Sequence, residues 1–236
     1  MGESIGGQPE TGEHGGSVVG PLRRLCTATA RALSASGAGV SVMTGAGIQG
    51  LAAASDPASE RLEELQFALG EGPCIDAFAT RRPVLISALD DAAMRRWPGY
   101  TSAVRGDGVR AIFAFPLQVG AASLGVLDVF RTRPGPLSAA ELGQALAFAD
   151  TAVTTLLDGQ QRAPAGEAAD GLDTAMDRHV EVFQAQGMVM VQLGSTLSDA
   201  LARMRAYSYA QDRPLVEVAR DIVARRLRFD RDHPQT

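Results

Sequence analysis

Two apolar runs near the middle of the chain, Val109 to Val119 and Ser123 to Arg131, are separated only by Gly120-Ala121-Ala122. That separation is the length of a hairpin, so the runs predict paired core strands and commit this part of the chain to a sheet. Shorter strand signals precede them. Val40-Ser41-Val42-Met43 and Ile48 to Ala54 read as two strands joined by the glycine-rich Thr44-Gly45-Ala46-Gly47 turn, and Pro83 to Ser87 is a further β-rich run. Helical periods lie around these strands. Leu22, Leu25, Cys26, Thr29 and Leu33 share one face from Pro21 until Gly37 stops it. Asp56-Pro57 opens a helix carrying Leu62, Leu65, Gln66 and Leu69, because aspartate caps and proline suits the first helical position. A short helical stretch runs to Ala79, and Asp90 to Tyr100 reads as a polar loop holding the one tryptophan, Trp97. Ser138 to Glu141 is a capping box, and Leu142, Leu146, Ala149, Val153 and Leu156 continue the helix at the spacing of a bundle or dimer seam.

A composition shift between Asp158 and Gly171 marks a boundary, and no β signal follows it. Met176, Val180, Phe183, Gly187 and Met190 form one stripe, and Val182, Ala185, Val189 and Leu193 form a second on the same helix. Two stripes imply two partners, the helix's own bundle and another chain or element. Gly194 ends that helix. Thr196 to Asp199 is a second capping box, opening a helix with Leu197, Ala200, Leu201, Met204 and Tyr207 inward, and Pro214 starts a last one burying Leu215, Val218, Ile222 and Val223. The expected organisation is therefore a tail over 1–20, an α+β domain over 21–158, a linker over 159–172 and an all-α three-helix bundle over 173–236. A bundle so small gains from dimerisation.

Composition removes several chemistries. All 22 basic residues are arginine, so a Walker-type phosphate loop, a Schiff-base enzyme, a kinase and a phospho-acceptor receiver, each needing a lysine, are excluded. No acid, base and nucleophile stand at a recognisable spacing, and a non-enzyme is expected. His14, His179 and His233 are far apart and the only cysteines are Cys26 and Cys74, so no metal site is expected from spacing. Neither a secretory leader nor a run of 18 apolar residues occurs, which predicts a cytoplasmic chain without a membrane partner. The net charge of −5 gives no global field for nucleic acid. Locally the balance inverts: Arg203, Arg205, Arg213, Arg220, Arg225, Arg226 and Arg228 face only Asp212, Glu217 and Asp221. Such a stretch is either a salt-bridged helical face or a surface for phosphates, with Tyr207 or Tyr209 offered to unpaired bases.

Leu65-Gln66, Gly70-Glu71-Gly72-Pro73-Cys74, Arg96-Trp97-Pro98, Gly108-Val109-Arg110, Phe115-Pro116-Leu117 and Leu124-Gly125-Val126-Leu127 together resemble a GAF domain over about 21–158. The resemblance implies an antiparallel sheet flanked by helices, used to sense small ligands or to dimerise. Glu71, Cys74, Trp97 and Asp128 are the residues that could line a cavity for an unknown small-molecule effector; turn chemistry and core packing are their alternative reading. Gln184 to Met190, Leu193-Gly194, Ala200 to Arg205 and Arg213 to Ala219 resemble an ANTAR domain, the three-helix RNA-binding output of bacterial antiterminators. By matching position the resemblance implies RNA contact by Ala185, Gln186, Gly187, Arg205 and Ser208, with Arg205 an exposed contact; Arg203, Tyr209, Arg213 and Arg220 are electrostatic and stacking additions. Gly187 could equally serve close helix packing. The whole then reads as a homodimeric antitermination regulator whose sensor controls binding of tandem RNA stem-loops. The rival is a small-molecule or redox sensor and dimerisation module whose helical tail docks another protein.

Overall fold

The central hairpin forms as its length predicts. Gly120 takes a φ of 56° at the turn, and β4 (Ala111–Val119) pairs antiparallel with β5 (Ala122–Arg131) from Ala111↔Arg131 to Val119↔Ala122. A computed structural model describes residues 18–44, 47–162 and 179–230. In it β1 (Gly37–Thr44), β2 (Gly47–Ala54) and β3 (Val84–Ile86) join the hairpin in one sheet of order β2-β1-β5-β4-β3, every neighbouring pair antiparallel.

Side chains alternate across the pleat and give the sheet two buried faces. Phe113, Phe115, Leu117, Leu127 and Val129 pack with α1 (Val19–Ala32) and α6 (Ala139–Arg162). Ile112, Ala114, Val126 and Phe130 pack beneath α2 (Pro57–Leu69), α3 (Pro73–Thr80), α4 (Asp91–Arg96) and α5 (Pro98–Gly106). Those last two helices replace the expected loop. The Asp90 carboxylate accepts from the N–H groups of Ala92 and Ala93 to start α4, and Pro98 occupies the first turn of α5, so each end has its own signal although neither helix exceeds nine residues. α6 begins at its capping box, with Ser138 N–H donating to Glu141, and continues to Arg162, past the boundary expected at 158. Its buried face is Ala145, Ala149, Ala152, Val153 and Leu156, whereas Leu146 is exposed. Alanine at three of those positions lets the helix lie close to α1 and the sheet.

From residue 179 onward, α7 (Val180–Leu193), α8 (Leu197–Ala210) and α9 (Leu215–Val223) form the expected bundle around Val182, Ala185, Val189, Ala200, Leu201, Met204, Val218 and Ile222. The Thr196 to Asp199 capping box is present and Gly194, at a φ of 59°, closes α7. Leu197 points outward, 44% exposed, because the first residue of α8 lies beyond the bundle's inner face. No strand occurs among the described residues of this part, and no described helix is long and apolar enough to cross a membrane. The tail through residue 17, the 163–172 stretch of the expected linker and Met176 lie outside the described residues.

Candidate functional site

β5 is the middle strand, and Asp128 stands in it among Val126, Leu127, Val129 and Phe130. Its register neighbours are Gly39 on β1 and Ala114 on β4, both too small to cover it. The space above is taken by α2, whose Glu63 and Gln66 stand one turn apart on the buried face. A Cβ on Gly39 would come within 2.4 Å of Glu63 Oε1, so the missing side chain is what admits this carboxyl. Hydrogen bonds fix half of each group. Gln66 Nε2 donates to Asp128 Oδ2 at 2.7 Å, Gln66 Oε1 accepts from Cys74 N–H at 2.8 Å, and Ser41 Oγ donates to Glu63 Oε2 at 2.7 Å. Glu63 Oε1 and Asp128 Oδ1 are buried with no partner beyond one another and Cys74, and the buried Tyr100 hydroxyl has none. One donor atom each from Glu63, Cys74 and Asp128 lie within 4.8 Å of one another, and Cys74 Sγ is 3.6 Å from Met43 Sδ.

Burial governs the charge state here. It pushes the Asp128 carboxyl up to about 7 and, with the neighbouring Asp128 charge, lifts Glu63 well above the carboxylate range. Burial also raises the Cys74 thiol, the reverse of what a reactive thiolate needs. Of the four residues expected to line a sensor cavity, the structure unites Cys74 and Asp128. Glu71 instead accepts from Tyr100 N–H at 2.8 Å at the start of α5, and Trp97 is a buried plug with the Arg96 guanidinium 4.7 Å from its ring. Sequence reasoning misses Glu63 and Tyr100. The available signal is a carboxylate three residues before Gln66 on a helix face otherwise made for burial.

An adjoining side of α2 meets the carboxy-terminal bundle. Phe67 lies 3.9 Å, centroid to centroid, from His179 and 6.3 Å from Phe183, and His179 Nε2 is 2.8 Å from Glu64 Oε2. Arg205 reaches across from α8, donating to the Phe67 carbonyl at 2.6 Å with its guanidinium 5.7 Å from the ring. α2 has no basic residue in its last turn, so Arg205 serves an orphan carbonyl at the negative end of the helix. Desolvation there lowers its pKa to about 10. Of the two apolar stripes on α7, one fills the bundle and the other sets Phe183 against α2; Val180 in that stripe stays exposed.

The GAF domain family matches residues 22–156 and the ANTAR domain family matches residues 170–223. The chain belongs to the GAF domain family and carries an ANTAR domain behind it. Among solved structures, GAF3 of Slr1393 from Synechocystis sp. PCC6803, in its photoproduct state, is similar at 17% identity and a TM-score of 0.50, over 64% of this chain and 100% of that one, which speaks to fold alone. The second GAF domain of DevS from Mycobacterium smegmatis is similar at 21% identity and a TM-score of 0.43, covering 60% of this chain and 94% of that one. A type II free methionine-R-sulfoxide reductase from Thermoplasma acidophilum is similar at 13% identity and 0.45, covering 58% and 91%. No curated protein matches the chain.

Within the ANTAR domain the expected RNA residues divide by what already holds them. Ala185 is fully buried, and Gln186 points inward, its Nε2 donating to the Leu197 carbonyl at 2.8 Å; both tie α7 to the start of α8 and offer RNA no surface here. Ser208 Oγ bonds the Arg213 carbonyl, while Arg213 pairs with Asp221 and Arg220 with Glu181, each at 2.7 Å. Arg205, expected as an exposed contact, is turned onto the GAF domain because α2 presents it a carbonyl and an aromatic face. Arg203 is exposed, Tyr209 is 78% exposed, and nothing approaches within 4 Å of a Cβ placed on Gly187. Gly187 is therefore no close-packing position in this structure.

Proposed function

We infer that the GAF and ANTAR domains make this a GAF-regulated, RNA-binding regulator. We propose that it is a cytoplasmic transcription antiterminator acting as a homodimer, in which two ANTAR domains together hold tandem stem-loops of a nascent transcript and so prevent a terminator hairpin. Its mechanism is binding, with no bond made or broken. The observation that carries the sensor's role is the capture of Arg205 by the Phe67 carbonyl. An arginine suited to RNA phosphates is held by the domain that senses, so release of the ANTAR domain from α2 would return it to the RNA face. Arg203 and Tyr209, both exposed, and the open Gly187 are the further positions offered to RNA. Two weak sites joined in a dimer gain effective concentration, so geometry alone can switch affinity.

The test is a titration of the full-length protein against an RNA with two tandem stem-loops at two salt concentrations. Binding weakens as salt rises, and Arg203→Ala lowers affinity and reduces the salt slope by about one. A protein that binds this RNA at neither salt, even with Glu64→Ala opening the contact to the sensor, overturns the reading in favour of a tail that docks protein.

A further inference from the structure

Glu63 and Cys74 come from the consecutive helices α2 and α3 and Asp128 from the distant β5, and their donor atoms converge beneath the helices on one face of the sheet. Each carboxylate is built in two halves. One oxygen is pinned, Glu63 Oε2 by Ser41 and Asp128 Oδ2 by Gln66, while the other is buried with no partner outside the trio. The Cys74 backbone is pinned by the same Gln66 amide, so one side chain orients two members of the trio. This is the arrangement by which outer partners aim ligands at a cation. The charges acting on Glu63 are those of Asp128 and Glu64, both negative, so the neighbourhood adds to a deficit of positive charge. A second observation stands apart from the acidic pair. The Tyr100 hydroxyl is fully buried and without a partner, and it lies in the field of all three groups.

We propose that Glu63, Cys74 and Asp128 form a binding site for one divalent transition-metal ion of the zinc or ferrous class. Two carboxylate oxygens with a sulfur make a donor set too soft for magnesium or calcium and suited to a borderline ion. Zinc lies about 2.0–2.2 Å from carboxylate oxygen and about 2.3 Å from thiolate sulfur, so donors arranged tetrahedrally on one ion stand about 3.3–3.7 Å apart. The present spread of up to 4.8 Å closes to that with side-chain shifts of about 1 Å, within the reach of rotamer adjustment. Met43 Sδ lies on the sulfur side, 3.6 Å from Cys74 Sγ.

The test uses full-length protein stripped with a chelator and titrated anaerobically with Co2+, a spectroscopic substitute for zinc. One equivalent binds, a thiolate-to-cobalt charge-transfer band appears, and the thermal midpoint rises. Cys74→Ser removes the band, and Glu63→Gln and Asp128→Asn, isosteric and confirmed folded by circular dichroism, each weaken binding at least about tenfold, the least that loss of even an outer partner causes. Cobalt bound without the thiolate band, or bound equally by the three variants, reports adventitious histidine or carboxylate sites and overturns the proposal. Natively folded wild type that takes up less than a tenth of an equivalent overturns it as well, and leaves Glu63 and Asp128 as a carboxyl pair sharing a proton.

Discussion

Single residues settle how much space each part of this chain has, and two glycines show it in opposite senses. Gly39 is crowded: a Cβ there would meet Glu63 Oε1 at 2.4 Å and its Cγ at 2.7 Å, inside a sealed layer between sheet and helix. Gly39→Ala is expected to destabilise the protein by roughly 1–3 kcal/mol, the usual cost of overpacking, read as a lower denaturant midpoint with unchanged slope. Gly187 is open, on α7 with nothing near its Cβ position, and alanine restores helix propensity. Gly187→Ala is expected to stabilise the fold by about 0.5–1 kcal/mol in the same assay. If it instead destabilises, α7 is packed more tightly than this structure has it. Gly187→Ala with unaltered RNA affinity would remove that position from the proposed RNA face. Sequence alone can name Gly187 but cannot choose between its two readings, because the distinction lies in what stands opposite the missing side chain. The same limit hides the buried cluster: Cys74 and Asp128 are legible as polar groups in apolar surroundings, but Glu63 meets Asp128 only once α2 is laid across β5.

At the scale of elements, local signals are legible wherever the chain supplies its own terminators. Both capping boxes, the helix opened by Asp56-Pro57 and the hairpin at Gly120 all appear where the residues put them. The region from Asp90 to Tyr100 defeats a periodic reading because two helices of nine residues or fewer have too few turns for a stripe, and only their caps betray them. α6 shows what a cap does. The Glu141 carboxylate accepts from Ser138 N–H and Ser138 Oγ and pairs with Arg131 at the end of β5, which together hold its pKa down at about 2. A depressed carboxylate contributes stability that is complete above its unfolded value, 4.5, and is lost as pH falls toward 2. The difference in thermal midpoint between wild type and Glu141→Gln should therefore be constant at neutral pH and shrink between about pH 4.5 and 2; a difference that persists at pH 2 would place the effect in packing. In the bundle, Met204 is fully buried at the junction of three helices, and Met204→Ala is expected to cost about 2–5 kcal/mol, checked by denaturation.

The whole molecule turns on α2, which serves two domains with two faces. Glu63 and Gln66 turn to the sheet, while Glu64 and Phe67 turn to His179, Phe183 and Arg205 of the ANTAR domain. None of this junction is legible in sequence, since Arg205 and the Phe67 carbonyl are 138 residues apart and an arginine on a charged helix reads as exposed. Its energetic logic separates two variants. Glu64 pairs with His179 across the junction between domains, so Glu64→Ala weakens that junction and enlarges the population of ANTAR domain free to bind. Apparent affinity scales with the competent fraction, so each kcal/mol by which the domains hold one another less tightly raises RNA affinity roughly fivefold until the free form dominates. Arg205 belongs to both states, holding α2 in one and, as proposed, RNA phosphate in the other. Arg205→Ala should therefore free the domain, seen as faster hydrogen exchange in α8, while raising RNA affinity less than Glu64→Ala does or lowering it outright. If Arg205→Ala raises RNA affinity as much as Glu64→Ala, then Arg205 is a latch alone, and the RNA face must be drawn around Arg203, Tyr209 and Gly187 without it.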